Sequence, residues 1–237
     1  QAFIPLFASH DMANSAEQLL ADLSTNKIYP ALFKQAFPQA PQLELSQVAT
    51  ALAAFQSSLI SLNSRYDQYA HGYHAALDAE EIKGLNVFRS FVARCAECHT
   101  PPLFTNQQIA VIGTPEPEGM AFDPGVGTSP ELSKLRGGFK VPSLRNVART
   151  APYMHSGRFA TLEETAEFYT KGRGHAVPKG EKLLLHWHIW EPKLSPEEIQ
   201  QLAVFLNTLT DESLMPVIPA QLPSALPVPA ELAAPHH

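Results

Sequence analysis

Residues 95–99 read Cys-Ala-Glu-Cys-His. Two thiols separated by two residues can each add to one vinyl group of a haem, forming two thioethers, and the histidine that follows is delivered beneath the iron. That histidine supplies one axial bond, while the group opposite tunes the potential or leaves the iron open. Other readings are weaker. A thioredoxin-like pair wants a βαβ context that is missing here. A zinc site wants more soft ligands than this chain offers. A chance match to five residues is countered by the motif holding both cysteines of the chain at the end of an amphipathic helical segment. Cys95, Cys98 and His99 are therefore expected to hold one covalent haem c, with His99 on the iron. Such attachment is normally made in an exported, oxidising compartment, which for a bacterium is the periplasm.

The rest of the composition is permissive. The 237 residues suffice for one large domain or two small ones, 45% are hydrophobic, and the formal net charge is −6. An acidic balance offers no basic field for nucleic acid. No apolar run approaches the ~18 residues of a membrane span. The chain begins with Gln1 and shows no leader-like segment, which fits a mature or partial protein. Two cysteines rule out a disulfide framework. The 21 prolines gather in loops and in the tail.

The elements that must position the motif are mostly helical. Asn14 and Glu17 suit a capping box opening a helix over 15–25 with Leu19, Leu20 and Leu23 as its stripe. Pro30 suits the first turn of a short helix ending near Phe37. Val48, Leu52, Phe55 and Leu59 predict an amphipathic helix over 46–61 whose stripe packs into a core. A helix near 79–92, with Ile82, Leu85, Phe88 and Phe91 on one face, runs into the cysteine motif. Residues 100–142 lack periodicity and read as a long loop region around something. Thr161 and Glu164 cap a helix to about Lys171, with Gly172 placed to stop it. Ser195, Pro196 and Glu198 open a last helix with Ile199, Leu202, Phe205, Leu206 and Leu209 on its apolar face. Beyond 215 a Pro- and Ala-rich tail is expected. The fold class is all-α.

Several flanking segments carry a family resemblance. Leu85-Asn86-Val87-Phe88 precedes the motif, and Cys98-His99-Thr100-Pro101-Pro102-Leu103-Phe104-Thr105-Asn106 follows from it. Further on stand Phe139-Lys140-Val141-Pro142-Ser143-Leu144-Arg145-Asn146-Val147 and Thr150-Ala151-Pro152-Tyr153-Met154-His155-Ser156-Gly157, the latter leading to Ala160-Thr161-Leu162-Glu163-Glu164. With Tyr66-Asp67-Gln68-Tyr69-Ala70-His71-Gly72, these resemble the bacterial di-haem cytochrome c peroxidase family, which includes the MauG-type enzymes, over most of residues 5–210. The resemblance implies a cytochrome c-like haem domain at 79–212, a helical remainder of a second, incomplete cytochrome c-like domain at 1–78, and a Pro-rich tail at 213–237. In that family the N-terminal haem reacts with hydrogen peroxide and the C-terminal haem passes electrons. The single motif here matches the C-terminal haem, and the helices over 15–61 would cover a haem whose own motif is not in this chain.

The resemblance also assigns roles. The second axial ligand is a methionine in many members, fourteen residues after the histidine of the Pro-Tyr-x-His segment; counted from His155, that position is Tyr169. MauG-type enzymes resemble this chain in having a tyrosine there. A phenolate favours ferric and higher oxidation states, whereas a thioether favours ferrous iron. Met154 is the competing ligand, and His155 is expected nearby but off the iron. Arg145 would pair with a haem propionate. The backbone carbonyls of Thr150 and Pro152 match positions that help bind calcium. Asp11, before Met12, falls where the family has an acidic residue that moves protons at the peroxidatic haem. Trp187 and Trp190, with His186 and His188, are read as structural.

The leading expectation is an enzyme: a haem-dependent oxidoreductase in which this chain supplies the electron-transfer haem for peroxide reduction. A MauG-like oxidation of a partner protein and a non-enzymatic single-haem electron carrier are the alternatives. Expected partners are hydrogen peroxide, a redox protein (a small cytochrome, a cupredoxin or a protein substrate) and a chain carrying the missing haem half.

Overall fold

The computed structural model describes residues 3–9, 11–40, 42–171, 177–187, 189, 192–214, 219, 221–222, 224–225 and 227–228. Gly172, His188 and Trp190, and most of the tail, lie outside the described residues. The chain divides into two compact units, one formed by 1–60 with 214–237, the other by 61–213. The boundary at 60/61 differs from the one expected at 78/79: residues 61–78 group with the unit that carries the cysteine motif. No helix among the described residues is long and apolar enough to cross a membrane.

In the first unit lie α1 (Phe3–Phe7), α2 (Ala16–Thr25), α3 (Ile28–Ala36) and α4 (Leu45–Ser58). The cap of α2 is Ser15, whose hydroxyl accepts from the Gln18 amide, and Asn14 instead accepts from the Ser15 amide. Neighbouring Asn and Ser are near-equal caps, so the register was ambiguous by one residue. The stripe of α4 departs from expectation. Val48 is buried, but Phe55 is 61% and Leu59 44% exposed. Helices α1 to α3 contain no buried residue.

The second unit holds α5 (Arg65–Ala70), α6 (Ala79–Phe88), α7 (Cys95–Cys98), α8 (Leu162–Thr170) and α9 (Pro196–Asn207), with a short antiparallel pair, β1 (Ile109–Val111) and β2 (Gly138–Lys140), in the loop region. Capping boxes open four of these helices: Ser64 with Asp67, Asp78 with Glu81, Thr161 with Glu164, and Ser195 with Glu198. The core is aromatic. Phe88, Phe104 and Phe205 are fully buried and touch one another at centroid separations of 5.2–6.5 Å, and Tyr66 meets Phe104 edge-on at 4.9 Å. Phe91, expected on the same face, is 77% exposed, because α6 ends at Phe88 and the chain turns away; the Arg94 guanidinium lies over its ring.

Helices α6 and α9 meet at Gly84. A Cβ there would fall 2.0 Å from the Gln201 carbonyl oxygen and 2.7 Å from the Phe205 Cβ. The obstacle is backbone, so the helices must separate to admit a methyl group. Gly84→Ala is expected to destabilise the unit by about 2–3 kcal/mol, although alanine is the better helix former. Thermal unfolding of the variant measures this; an unchanged or raised midpoint would contradict the close crossing.

Candidate haem site

The loop 89–94 ends in Arg94, in the left-handed region at φ 55°, and so turns the chain into α7. Cys95 and Cys98 stand at the two ends of that single turn, both as free thiols. Cys95 keeps some accessible surface, yet enough protein surrounds it that burial pushes its thiol up to about 12. Burial likewise raises Cys98, with the Glu97 charge adding to it. Thiols held neutral in this way are poor anionic metal ligands, whereas a thioether has no charge to desolvate.

His99 follows as the cap of α7. Its Nδ1 lies 3.2 Å from the Phe104 carbonyl and 3.1 Å from the Pro142 carbonyl. Both partners are acceptors, so Nδ1 carries the proton and Nε2 is left as the bare nitrogen. Burial lowers the affinity of the ring for a second proton, partly offset by those two carbonyls. A neutral imidazole with an anchored Nδ1–H and a free Nε2 is the form that binds iron.

Tyr169, on α8, reaches the same place. Burial drives its phenol well above the ordinary range, and it lies close enough to Cys95 and Cys98 for both to raise it further. It meets the Phe168 ring edge-on at 5.4 Å, and Phe168 is buried against Phe159. The structure thus brings Tyr169 near the thiols of Cys95 and Cys98, which His99 directly follows in the chain, and residues of these types fit a haem: two thiols, one imidazole and one phenol.

The other predicted residues fare differently. His155 is engaged elsewhere: its ring stacks on Phe139 at 3.8 Å, and its Nε2 is 2.8 Å from the Glu116 carboxylate. Met154, at φ 69°, heads the turn leading to it. Arg145, expected at a propionate, binds groups of the protein itself. Its Nε and one Nη2 hydrogen go to the Pro102 carbonyl, Nη1 donates to the Ser61 carbonyl, and both Nη atoms grip Asp67 at 2.8 Å. All five guanidinium hydrogens are engaged within the protein. Thr150 and Pro152 are exposed, and neither carbonyl accepts a hydrogen bond among the described residues. No group of three or more His, Cys, Asp or Glu able to hold a metal occurs among those residues. Asp11 lies in an exposed turn of the first unit. Trp187 is 65% exposed and stacks with His186.

Two groups escaped the sequence reading. Glu116, in an aperiodic loop, meets His155 across 39 residues. Burial raises its carboxyl, but the His155 hydrogen bond and the Asp123 amide outweigh that and leave it below the usual range. Asp67 was seen only as part of a resembling segment; its place three residues after Ser64 was the available signal for its helix-capping role.

A family model described as di-haem cytochrome c peroxidase matches residues 1–75. Methylamine utilization protein MauG of Methylorubrum extorquens is 32% identical over 94% of this chain and 60% of its own length. Cytochrome c551 peroxidase of Nitrosomonas europaea is 27% identical over 92% of this chain and 61% of its own length. This chain therefore spans about 60% of these curated relatives. Among solved structures, a MauG-like protein associated with microbial copper homeostasis superposes with a TM-score of 0.77 at 30% identity, covering 90% of this chain and 68% of the other. With its helical haem-motif unit and these relatives, the chain belongs to the di-haem cytochrome c peroxidase family that includes MauG.

Proposed function

We propose that residues 61–213 would hold one haem through thioethers from Cys95 and Cys98, with His99 Nε2 and the Tyr169 oxygen as the groups that would bind its iron, and that the chain serves as the electron-transfer part of a periplasmic, peroxide-consuming oxidoreductase. The observation that carries this is the His99 tautomer: two carbonyls hold Nδ1–H beside two free thiols, leaving Nε2 to bind metal. Bound haem would supply one-electron chemistry. The protein's own part is to fix the imidazole and to hold the two half-buried attachment points at the ends of α7. Reducing hydrogen peroxide to two waters takes two electrons and two protons. The electrons would enter from a small cytochrome or cupredoxin, and the peroxide-binding haem would belong to a part of the protein outside this chain. At the exposed Thr150 and Pro152 carbonyls, which accept no hydrogen bond from the described residues, a hard cation such as calcium would find oxygen ligands. Asp11 would act only beside that other haem.

Tyr169 favours a second reading, in which the substrate is a partner protein and peroxide the oxidant. An oxygen ligand stabilises oxidised iron and makes a poor electron acceptor. Tyr169→Phe separates the readings. The optical and EPR spectra of the ferric protein are expected to change from an oxygen-ligated to a five-coordinate or water-bound form. An unchanged spectrum would remove Tyr169 from the iron and with it the MauG-like reading. A wild-type protein with no haem in a pyridine haemochrome assay would remove the main proposal.

A further inference from the structure

The two carbonyls that hold His99 Nδ1–H come from different segments, Phe104 from the loop after α7 and Pro142 from the stretch after β2. Their separation sets the direction of the imidazole, and neither segment is regular structure at those residues. Phe104 is also a fully buried residue in the left-handed region, at φ 53°. Such a conformation persists only where the surroundings over-determine it.

A ladder of bonds does so. The Thr105 hydroxyl donates to the Val141 carbonyl and the Ser143 hydroxyl to the Leu103 carbonyl, each at 2.6 Å. The Leu144 amide donates to the Phe104 carbonyl, the same oxygen that accepts from His99. Arg145 closes the ladder by bonding the Pro102 carbonyl with two donors. Its fork is in turn locked by Asp67 on α5 and by the Ser61 carbonyl, with both ionic side chains under 10% exposed (8% and 9%). Asp67 is itself fixed by the Ser64 amide and hydroxyl at 2.9 and 2.7 Å.

We propose that the Arg145–Asp67 pair is a positioning device for the iron ligand: it locks Pro102–Phe104 against residues 141–145 and so sets the strength of the His99 Nδ1–H hydrogen bonds. This rests on the haem reading given above. A rigid, planar guanidinium spans a carbonyl on one side and a carboxylate on the other, which a lysine ammonium cannot reproduce. Stronger bonds from Nδ1–H make the imidazole a better donor and favour the oxidised metal; loosening them favours the reduced one.

The test uses the full chain in haem-free and haem-loaded forms, with Arg145→Lys and the milder Thr105→Val, and with Arg136→Lys as control. Arg136 forks onto Glu181 elsewhere in the same unit and lies outside the ladder. In haem-free protein, the His99 Nδ1 proton seen by 15N-edited NMR is expected to move upfield and exchange with water at least tenfold faster in Arg145→Lys, with a smaller change in Thr105→Val and none in the control. In loaded protein, haem content should stay constant while the ferrous-to-ferric ratio at fixed poise rises by about tenfold, about 59 mV for one electron. A purely structural role would lower the melting temperature of Arg145→Lys and leave both readouts at their wild-type values, which overturns the proposal. Wild-type protein that takes up no haem overturns the haem reading instead, and the Nδ1 proton still decides the positioning role.

Discussion

Cys95→Ala with Cys98→Ala, produced alongside a working cytochrome-maturation system, is expected to lose all covalently held pigment. The chain has no third cysteine to substitute. Each single variant keeps one thiol at one end of α7 and should retain a single thioether, with a correspondingly shifted haemochrome band. The effect is close to all-or-none because attachment is a covalent bond count, not a balance of weak forces. It also separates attachment from ligation. His99 keeps its two carbonyl partners in the double variant, since neither comes from a cysteine side chain. Added haem should therefore still bind, reversibly, and extract into acidified organic solvent. Pigment that survives denaturation on a gel in the double variant would exclude the two thiols as the attachment points.

What the sequence made legible was what is local. The capping boxes at Thr161 and Ser195 each span three residues, and both open the helices expected of them. The Cys-x-x-Cys-His run is equally local, and α7 delivers it as one turn. The spacing from His155 to Tyr169 came from family resemblance, yet the phenol does lie near both thiols. The failures are long-range or depend on what lies opposite. Periodicity marks the α4 stripe as apolar but says nothing about whether a second layer covers it, and Phe55 stays exposed. Arg145 has the chemistry to bind any carboxylate. Its actual partner lies 78 residues away, on α5, in a stretch that the family resemblance assigns to another domain. The same contact explains the observed boundary: the Asp67 carboxylate and the Ser61 carbonyl tie residues 61–70 to the loops around His99. The strand pair β1–β2 has only three residues on each side, too few for alternation to stand out.

Asp67→Ala is expected to cost the second unit about 3–5 kcal/mol at pH 7, the usual range for removing one partner of a buried ion pair. The Arg145 guanidinium would be left buried with half its acceptors gone, and the Ser64 amide and hydroxyl would lose theirs. For a unit of roughly 150 residues this corresponds to a fall in melting temperature on the order of 10 °C. The loss should depend on pH in a definite sense. Burial pushes the Asp67 carboxyl up, but the hydrogen bonds from Arg145 and Ser64 outweigh it and hold the group below its ordinary value in the folded chain. Between the folded and unfolded values the unfolded state binds more protons, so the stabilisation from Asp67 is complete above about pH 4 and fades as pH falls through the folded value. Wild type and Asp67→Ala should therefore differ most at neutral pH and converge in acid, while Asp67→Asn, which keeps the shape without the charge, should lie between them at pH 7. Urea unfolding at pH 7, 5 and 3 reads this directly. A gap under 1 kcal/mol at pH 7, or one that stays constant down to pH 3, would mean that the ion pair does not hold the loops around His99.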